Sequence, residues 1–234
     1  MENTKATLLV GEDATQFALQ MGFREQDLHT NESVKMWKEW KKNKCQPNFW
    51  NENVRPDPRS SCGPYKPIKG RRNLQDTTKQ TLLDDVDVDN HDTIGMIAID
   101  QNGNIAAGTS TNGLNHKISG RVGDSPIPGA GAYVDKDVGG ASGTGDGDVM
   151  LKFLPSFHAV ELLRQGYSPT RAARMALKRI AQYYPTFRGG LITVTKDGRH
   201  GAACHGWPYF PYTVRNPRTG KNKIVYIKPC KLIN

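Results

Sequence analysis

The chain has 234 residues, 36% of them apolar, and a formal charge of +9 from 32 Lys and Arg against 23 Asp and Glu. That length suits one domain or part of one, and the modest apolar content with abundant glycine fits a compact, loop-rich α/β protein. No apolar run has membrane-spanning length, and no signal-peptide-like apolar segment opens the chain. The basic clusters at residues 35–44 and 66–72 interleave with Trp37, Trp40, Phe49 and Trp50. They read as solvated faces and not as a nucleic-acid site, because no nucleic-acid motif accompanies them.

In chain order, residues 7–10 read as a short strand or helix entry, and residues 12–21 as a helix with Ala14, Phe17, Ala18 and Met21 on one face. Residues 31–44 suit a second helix, with Asn31 or Ser33 near its cap. Residues 45–70, rich in Pro, Asn and Gly, read as an irregular loop. Residues 71–90 are first basic and then acidic, a polar linker whose end is exposed. Residues 93–99 and 105–110 are apolar runs around an Asn102-Gly103 turn signal, and predict a hairpin. Residues 117–131 form a loop punctuated by Gly and Pro, followed by short strands at 133–134 and 139–144. Residues 148–165 predict one helix bent near Pro155. Ser168 and Pro169 open another, as cap and first-turn residue. Its Ala172, Ala173, Ala176, Leu177 and Ile180 face inward; Arg171, Arg174, Lys178 and Arg179 face water. Residues 191–195 and 201–204 flank a second turn at Asp197-Gly198, and residues 212–215 and 224–227 pair as edge strands. Strand pair, helix pair, strand pair predicts stacked antiparallel sheets with helices outside.

The chemistry centres on Thr93, where the acidic linker gives way to an apolar strand. A Thr hydroxyl is a weak nucleophile until a base is held beside it. Its own α-amine can be that base if the preceding peptide bond is cut. A free α-amine titrates near ~7.7–8.0, so it accepts a proton near neutrality. A β-branched residue opening a strand is ordinary by itself. Around Thr93, however, a series of motifs recurs in order. They are His91-Asp92-Thr93-Ile94-Gly95, Gly108-Thr109-Ser110-Thr111-Asn112-Gly113, Gly120-Arg121-Val122-Gly123-Asp124-Ser125-Pro126 and Gly143-Thr144-Gly145-Asp146-Gly147-Asp148. This series resembles the glycosylasparaginase (aspartylglucosaminidase) family of N-terminal-nucleophile (Ntn) hydrolases, in the type 2 asparaginase group.

The resemblance covers nearly the whole chain, starting well inside the family's first subunit. It implies an α/β (α+β) fold, the four-layer αββα sandwich of Ntn hydrolases, incomplete at its N-terminal side. Residues 1–92 correspond to the end of the α-subunit and its linker, residues 93–234 to the β-subunit, together one domain. The implied cut lies between Asp92 and Thr93, with Asp92 assisting proton transfer and Thr93 as the nucleophile. Thr111 orients that nucleophile. Arg121 binds an α-carboxylate through its planar fork, and Asp124 binds an α-ammonium. Thr144 and Gly145 form an oxyanion hole. The four cysteines lack CxxC spacing, and the family's pattern pairs Cys45 with Cys62 and Cys204 with Cys230; buried thiols in a cytosolic protein are the alternative. Disulfides imply an oxidising compartment, the family points to the lysosome, and Asn31-Glu32-Ser33 is a glycosylation sequon.

The expected reaction is hydrolysis of N4-(β-N-acetylglucosaminyl)-L-asparagine without cofactor or metal. The full-length form is an assembly of two α and two β chains, with no membrane or nucleic-acid partner. The alternatives are an isoaspartyl peptidase or L-asparaginase of the same group, and an inactive truncated form. Asp92 and Asn112 lean toward the glycosyl substrate. Truncation implies that this chain cuts itself poorly or not at all beside a full-length form. Competing motifs fail: Asp85, Asp87 and Asp89 lack the Gly and closing Glu of a calcium loop, and Gly143–Gly147 lacks a phosphate loop's Lys. His200, Cys204 and His205 lack a second metal-ligand pair, and no G-x-S-x-G elbow exists.

Overall fold

The computed structural model describes residues 3–68, 91–217, 220–228 and 232. The predicted linker at 71–90 and Cys230 lie outside the described residues. The chain divides into two compact units, Met1–Pro47 with Val54–Lys66, and Asn48–Asn53 with Pro67–Asn234.

The first unit contains α1 (Gly11–Gln20), α2 (Asn31–Lys42) and the two-residue β1 (Val54–Arg55). Residues 7–10 form no regular element. The cap of α2 is Thr30, one residue before the expected position. Its Oγ1 accepts from the Ser33 N–H at 3.0 Å, and Ser33 Oγ accepts from the Thr30 N–H at 2.9 Å. Ser33 is therefore the reciprocal partner of a capping box and Asn31 the first helical residue. Neither helix buries a residue. Among the described residues of this unit only Cys45, Val54 and Pro58 are buried. The Cys45–Cys62 disulfide, with Cα atoms 5.1 Å apart, closes the irregular loop as expected. It supplies a constraint that so thin a core cannot.

The short β2 (Lys66–Pro67) leads to the second unit, which carries the site. β3 (His91–Ile99) and β4 (Ile105–Leu114) form an antiparallel hairpin. Its tip is tied by Asp100 Oδ1, which accepts from the N–H groups of Asn102 and Asn104, both at 2.8 Å. β5 (Ala132–Asp135), β6 (Gly139–Gly145), β7 (Gly189–Thr195) and β8 (His200–His205) form an antiparallel sheet in that order. The hairpin lies against one face of this sheet. A Cβ on Gly95 would sit 2.1 Å from Ser142 Oγ, and one on Gly140 would sit 3.0 Å from Ile97 Cγ2, so these two glycines set the closeness of the layers. The hairpin's other face leaves Ile94 70% and Met96 64% exposed.

Against the sheet's opposite face pack α3 (Gly147–Phe153), α4 (Pro155–Arg164) and α5 (Pro169–Tyr183). The core between them contains Val149, Met150, Val160, Leu177, Ile180 and Leu191, each at most 2% exposed. Burying each such side chain stabilises the fold by roughly 1.5–3 kcal/mol. The inward face of α5 is the one predicted. The single helix expected over 148–165 is instead two helices broken at Leu154, which takes a left-handed φ of 49°. The residue before a proline is driven from the helical region, and the break follows. Ser168 stands at the N-cap of α5 without a side-chain cap bond. The helix start is anchored by Thr193 Oγ1, which donates to the Pro169 carbonyl at 2.9 Å. β9 (Phe210–Arg215) and β10 (Asn222–Ile227) form a separate two-stranded ribbon, as the edge-strand reading predicted. Cys204 is buried on β8, its Sγ 3.9 Å from the Lys228 carbonyl oxygen. No helix among the described residues is long and apolar enough to cross a membrane.

Candidate active site

The Asp92–Thr93 peptide lies within a strand and not at a loop-to-sheet junction, because β3 already begins at His91. The junction's special feature is on the facing strand. Thr93 pairs with Thr111 and Asp92 with Gly113, so Asn112 is an extra residue bulged from β4. The bulge aims two groups at Asp92 and Thr93, the Thr111 hydroxyl and the Asn112 N–H. Thr111 Oγ1 donates to the Asp92 carbonyl oxygen at 2.6 Å, and the Asn112 N–H donates to Asp92 Oδ1 at 3.2 Å. Thr111 Oγ1 also lies 3.1 Å from Thr93 Oγ1 and accepts from the Gly113 N–H at 2.8 Å. A hydroxyl has one proton and two lone pairs. The carbonyl can only accept, so Thr111 spends its proton there, and the Thr93 hydroxyl must donate to Thr111. The Lys117 ammonium donates to the Asn112 carbonyl at 2.7 Å and holds the bulge from outside.

The loop after β4 brings in Arg121 and Asp124, the two residues expected to bind the substrate. Arg121 binds Asp148 in the first turn of α3, through Nε at 3.1 Å and Nη2 at 2.7 Å to the same Oδ2. Helix α3 begins just past the end of β6, which places Asp148 over the loop. Around the guanidinium stand three glycines: a Cβ would lie 3.2 Å from Nη1 at Gly113, 2.8 Å from Nη1 at Gly123 and 3.0 Å from Nη2 at Gly147. The same point at Gly147 is 2.8 Å from Asp124 Oδ1, so Arg121 and Asp124 flank one small residue. Asp124 is 5% exposed, and its carbonyl oxygen accepts from the Ile127 and Gly131 N–H groups, both at 3.0 Å. Thr109 Oγ1 donates to the Ser125 carbonyl at 2.8 Å and ties this loop to β4.

The end of β6 completes the wall. Gly145 has φ +140°, and a Cβ there would lie 2.4 Å from the Arg188 carbonyl oxygen, so only glycine fits. Asp146 caps α3, its Oδ1 accepting from the Val149 N–H at 3.2 Å. Burial pushes its carboxyl up to about 6, with the Asp148 charge adding to the rise; the Val149 N–H and the Arg121 and Lys152 cations oppose it.

These elements enclose a cavity of about 200 Å³. Of the residues singled out in the sequence, Thr93, Thr111, Arg121, Asp124 and Gly145 line it together; Thr144 precedes Gly145 on β6 and is not in the lining. Sequence reasoning missed Lys117, Asp146 and Asp148 as members of the wall. An acid directly before a helix and another in its first turn were the available signals for the last two.

The sequence pattern of the asparaginase family (Asparaginase_2) matches residues 1–222. The chain belongs to this asparaginase family. Similar proteins include a Drosophila sechellia protein provisionally named N(4)-(β-N-acetylglucosaminyl)-L-asparaginase, 54% identical over 233 residues, which cover 100% of this chain and 59% of that protein. The N(4)-(β-N-acetylglucosaminyl)-L-asparaginase of Rattus norvegicus is 51% identical over 210 residues, covering 90% of this chain and 59% of the rat protein. That of Mus musculus is 50% identical over 210 residues, with 90% and 59% covered. This asparaginase-family chain thus spans well under two thirds of the length of the curated relatives it matches. The match reaches into both units and takes in every residue of the cavity wall.

Proposed function

We propose that this chain carries the nucleophile and the amino-acid-binding end of an amidohydrolase that cleaves N4-(β-N-acetylglucosaminyl)-L-asparagine. The observation that carries the reading is the hydrogen-bond chain from Thr93 Oγ1 through Thr111 Oγ1 to the Asp92 carbonyl, beside a cavity shared with Arg121 and Asp124. The names of the similar proteins supply the substrate class.

Self-cleavage comes first. Thr93 Oγ adds to the Asp92 carbonyl carbon while the Thr111 proton polarises its oxygen, as an oxyanion-hole donor does. The Asp92 carboxylate, held by the Asn112 N–H, assists in moving the Thr93 hydroxyl proton to the departing nitrogen. The C–N bond breaks, leaving an ester on Thr93 and a free α-amine. Water then hydrolyses the ester, restoring the hydroxyl and giving Asp92 a new carboxylate. All the groups involved lie between Asp92 and Gly113, among the described residues, so a slow cut is the expectation for this chain itself.

In turnover the Thr93 amine takes the hydroxyl proton as Oγ attacks the substrate's side-chain carbonyl. The amine acts as that base in its neutral form. Arg121 receives the substrate α-carboxylate and Asp124 its α-ammonium. Thr144 and the Gly145 N–H stabilise the oxyanion. An amino sugar leaves, and water releases aspartate from the ester.

The αββα sandwich belongs to the same proposal. Two facing antiparallel layers and one helical layer support it, and the exposed Ile94 and Met96 mark the face where a second helical layer packs. Residues 1–92 and 93–234 as two segments of one domain, a lysosomal location and a two-α, two-β assembly follow from the same kinship. The test is incubation with N4-(β-N-acetylglucosaminyl)-L-asparagine, L-asparagine and a β-aspartyl dipeptide. Release of the amino sugar supports the proposal; release of ammonia or an amino acid alone assigns the chain to the peptidase or asparaginase branch.

A further inference from the structure

An arginine that receives a carboxylate in a wide pocket has a problem of direction. Its long side chain has many rotamers, and a fork pointed elsewhere binds nothing. In this cavity the walls around the guanidinium are Gly113, Gly123 and Gly147, none of which has a side chain to steer it. The steering contact is Asp148. It takes Nε and Nη2, with the Arg121 side chain 17% exposed and that of Asp148 36%. Asp148 is itself fixed, because it sits in the first turn of α3 directly after the Asp146 cap and Gly147.

We infer that Asp148 is a positioning residue: by gripping the Nε–Nη2 edge of Arg121 it presents the Nη1 edge, beside Gly113 and Gly123, to the α-carboxylate of a bound amino acid. The inference rests on Arg121 being the carboxylate receptor, as proposed above. It makes one guanidinium serve two anions, one resident and one visiting, on two different edges. The Asp148 charge also offsets that of Arg121 when the pocket is empty. A bare guanidinium would attract any anion. One already neutralised on one side favours an anion that fits the remaining edge while its ammonium meets Asp124, which is the pattern of a zwitterionic amino-acid end.

The sign of the effect separates this role from simple electrostatics. Removing a neighbouring anion should by charge alone strengthen carboxylate binding. Loss of the grip should weaken it. Two measurements on the full chain decide. In the first, the side-chain Nε–H of Arg121 is followed by ¹⁵N NMR without ligand. A distinct, slowly exchanging resonance is expected in the wild type and its loss in Asp148→Ala, with Asp148→Asn intermediate because its amide oxygen still accepts one bond. Persistence of the resonance in Asp148→Ala would show that Asp148 holds nothing, and would overturn the inference. In the second, L-aspartate is titrated by calorimetry, with backbone amide spectra confirming that each variant is folded. Asp148→Ala should weaken L-aspartate binding about tenfold, which is about 1.4 kcal/mol. Unchanged or tighter binding overturns the inference. If L-aspartate fails to bind the wild type, or binds Arg121→Lys as tightly, the carboxylate reading of Arg121 fails and the inference falls with it. The ligand-free resonance shows separately whether the grip exists.

Discussion

Replacing Thr111 by valine removes one hydroxyl and keeps the shape. That oxygen makes three contacts: it donates to the Asp92 carbonyl at 2.6 Å, meets Thr93 Oγ1 at 3.1 Å and accepts from the Gly113 N–H at 2.8 Å. Thr111 is solvent-exposed, so water can replace the lost bonds in the resting fold, and stability should change by less than about 1 kcal/mol. The cut is a different matter. The bond to the carbonyl strengthens as negative charge develops on that oxygen, and losing one such donor costs roughly 2.7–4 kcal/mol, or 10²–10³ in rate. The same change leaves the Thr93 hydroxyl without the acceptor that orients it. A time course of fragment appearance on denaturing gels, beside a thermal melt, reads both quantities. Thr111→Ser should cut at close to the wild-type rate because it keeps the hydroxyl. A Thr111→Val chain that cuts within about threefold of wild type would refute the polarising role.

Arg121→Lys should raise KM for the glycosylated asparagine about tenfold, a larger effect than its loss of stability in a thermal melt, since a lysine offers no planar fork. Asp146 has a folded pKa of about 6 against an ordinary 3.8, so the folded chain binds the extra proton between those values and loses stability as pH rises through that window. Asp146→Asn keeps a capping oxygen without the charge. Relative to wild type it should gain roughly 2 kcal/mol between pH 4 and pH 7 in urea melts. Equal pH profiles for the two proteins would contradict the burial argument. Gly145→Ala should cost about 2–3 kcal/mol, because a Cβ there meets the Arg188 carbonyl at 2.4 Å on a left-handed backbone. Peptide mapping without reductant should find Cys204 joined to Cys230 as well as Cys45 to Cys62.

The parts of the molecule legible in the sequence are those that local patterning dictates. The α5 face from Ala172 to Ile180 carries a helical period and the β3–β4 hairpin an Asn102-Gly103 turn signal, and strands β9 and β10 pair as read from sequence. Pro155 marked a bend in the sequence, and because a proline also restricts the residue before it, the bend is a full break at Leu154. The site was legible as a set of residues and illegible as a set of partners. Arg121 and Asp124 stand three apart with opposite charges, and the sequence reading gave each a group of the substrate and named no protein partner. The structure gives Arg121 to Asp148, 27 positions away, because α3 starts where β6 ends beside the loop. The bulge at Asn112 was likewise hidden. It is a property of two strands in register, and neither strand shows it alone.

The central claim is that Thr93 attacks the bond before it and becomes a chain terminus. Its most direct measurement is intact-mass analysis with N-terminal sequencing of the purified chain over an extended incubation, with Thr93→Ala alongside. A slowly growing fragment whose first residue is Thr93 is expected, and none from Thr93→Ala. A wild-type chain that stays whole, or an equal cut in Thr93→Ala, would contradict it.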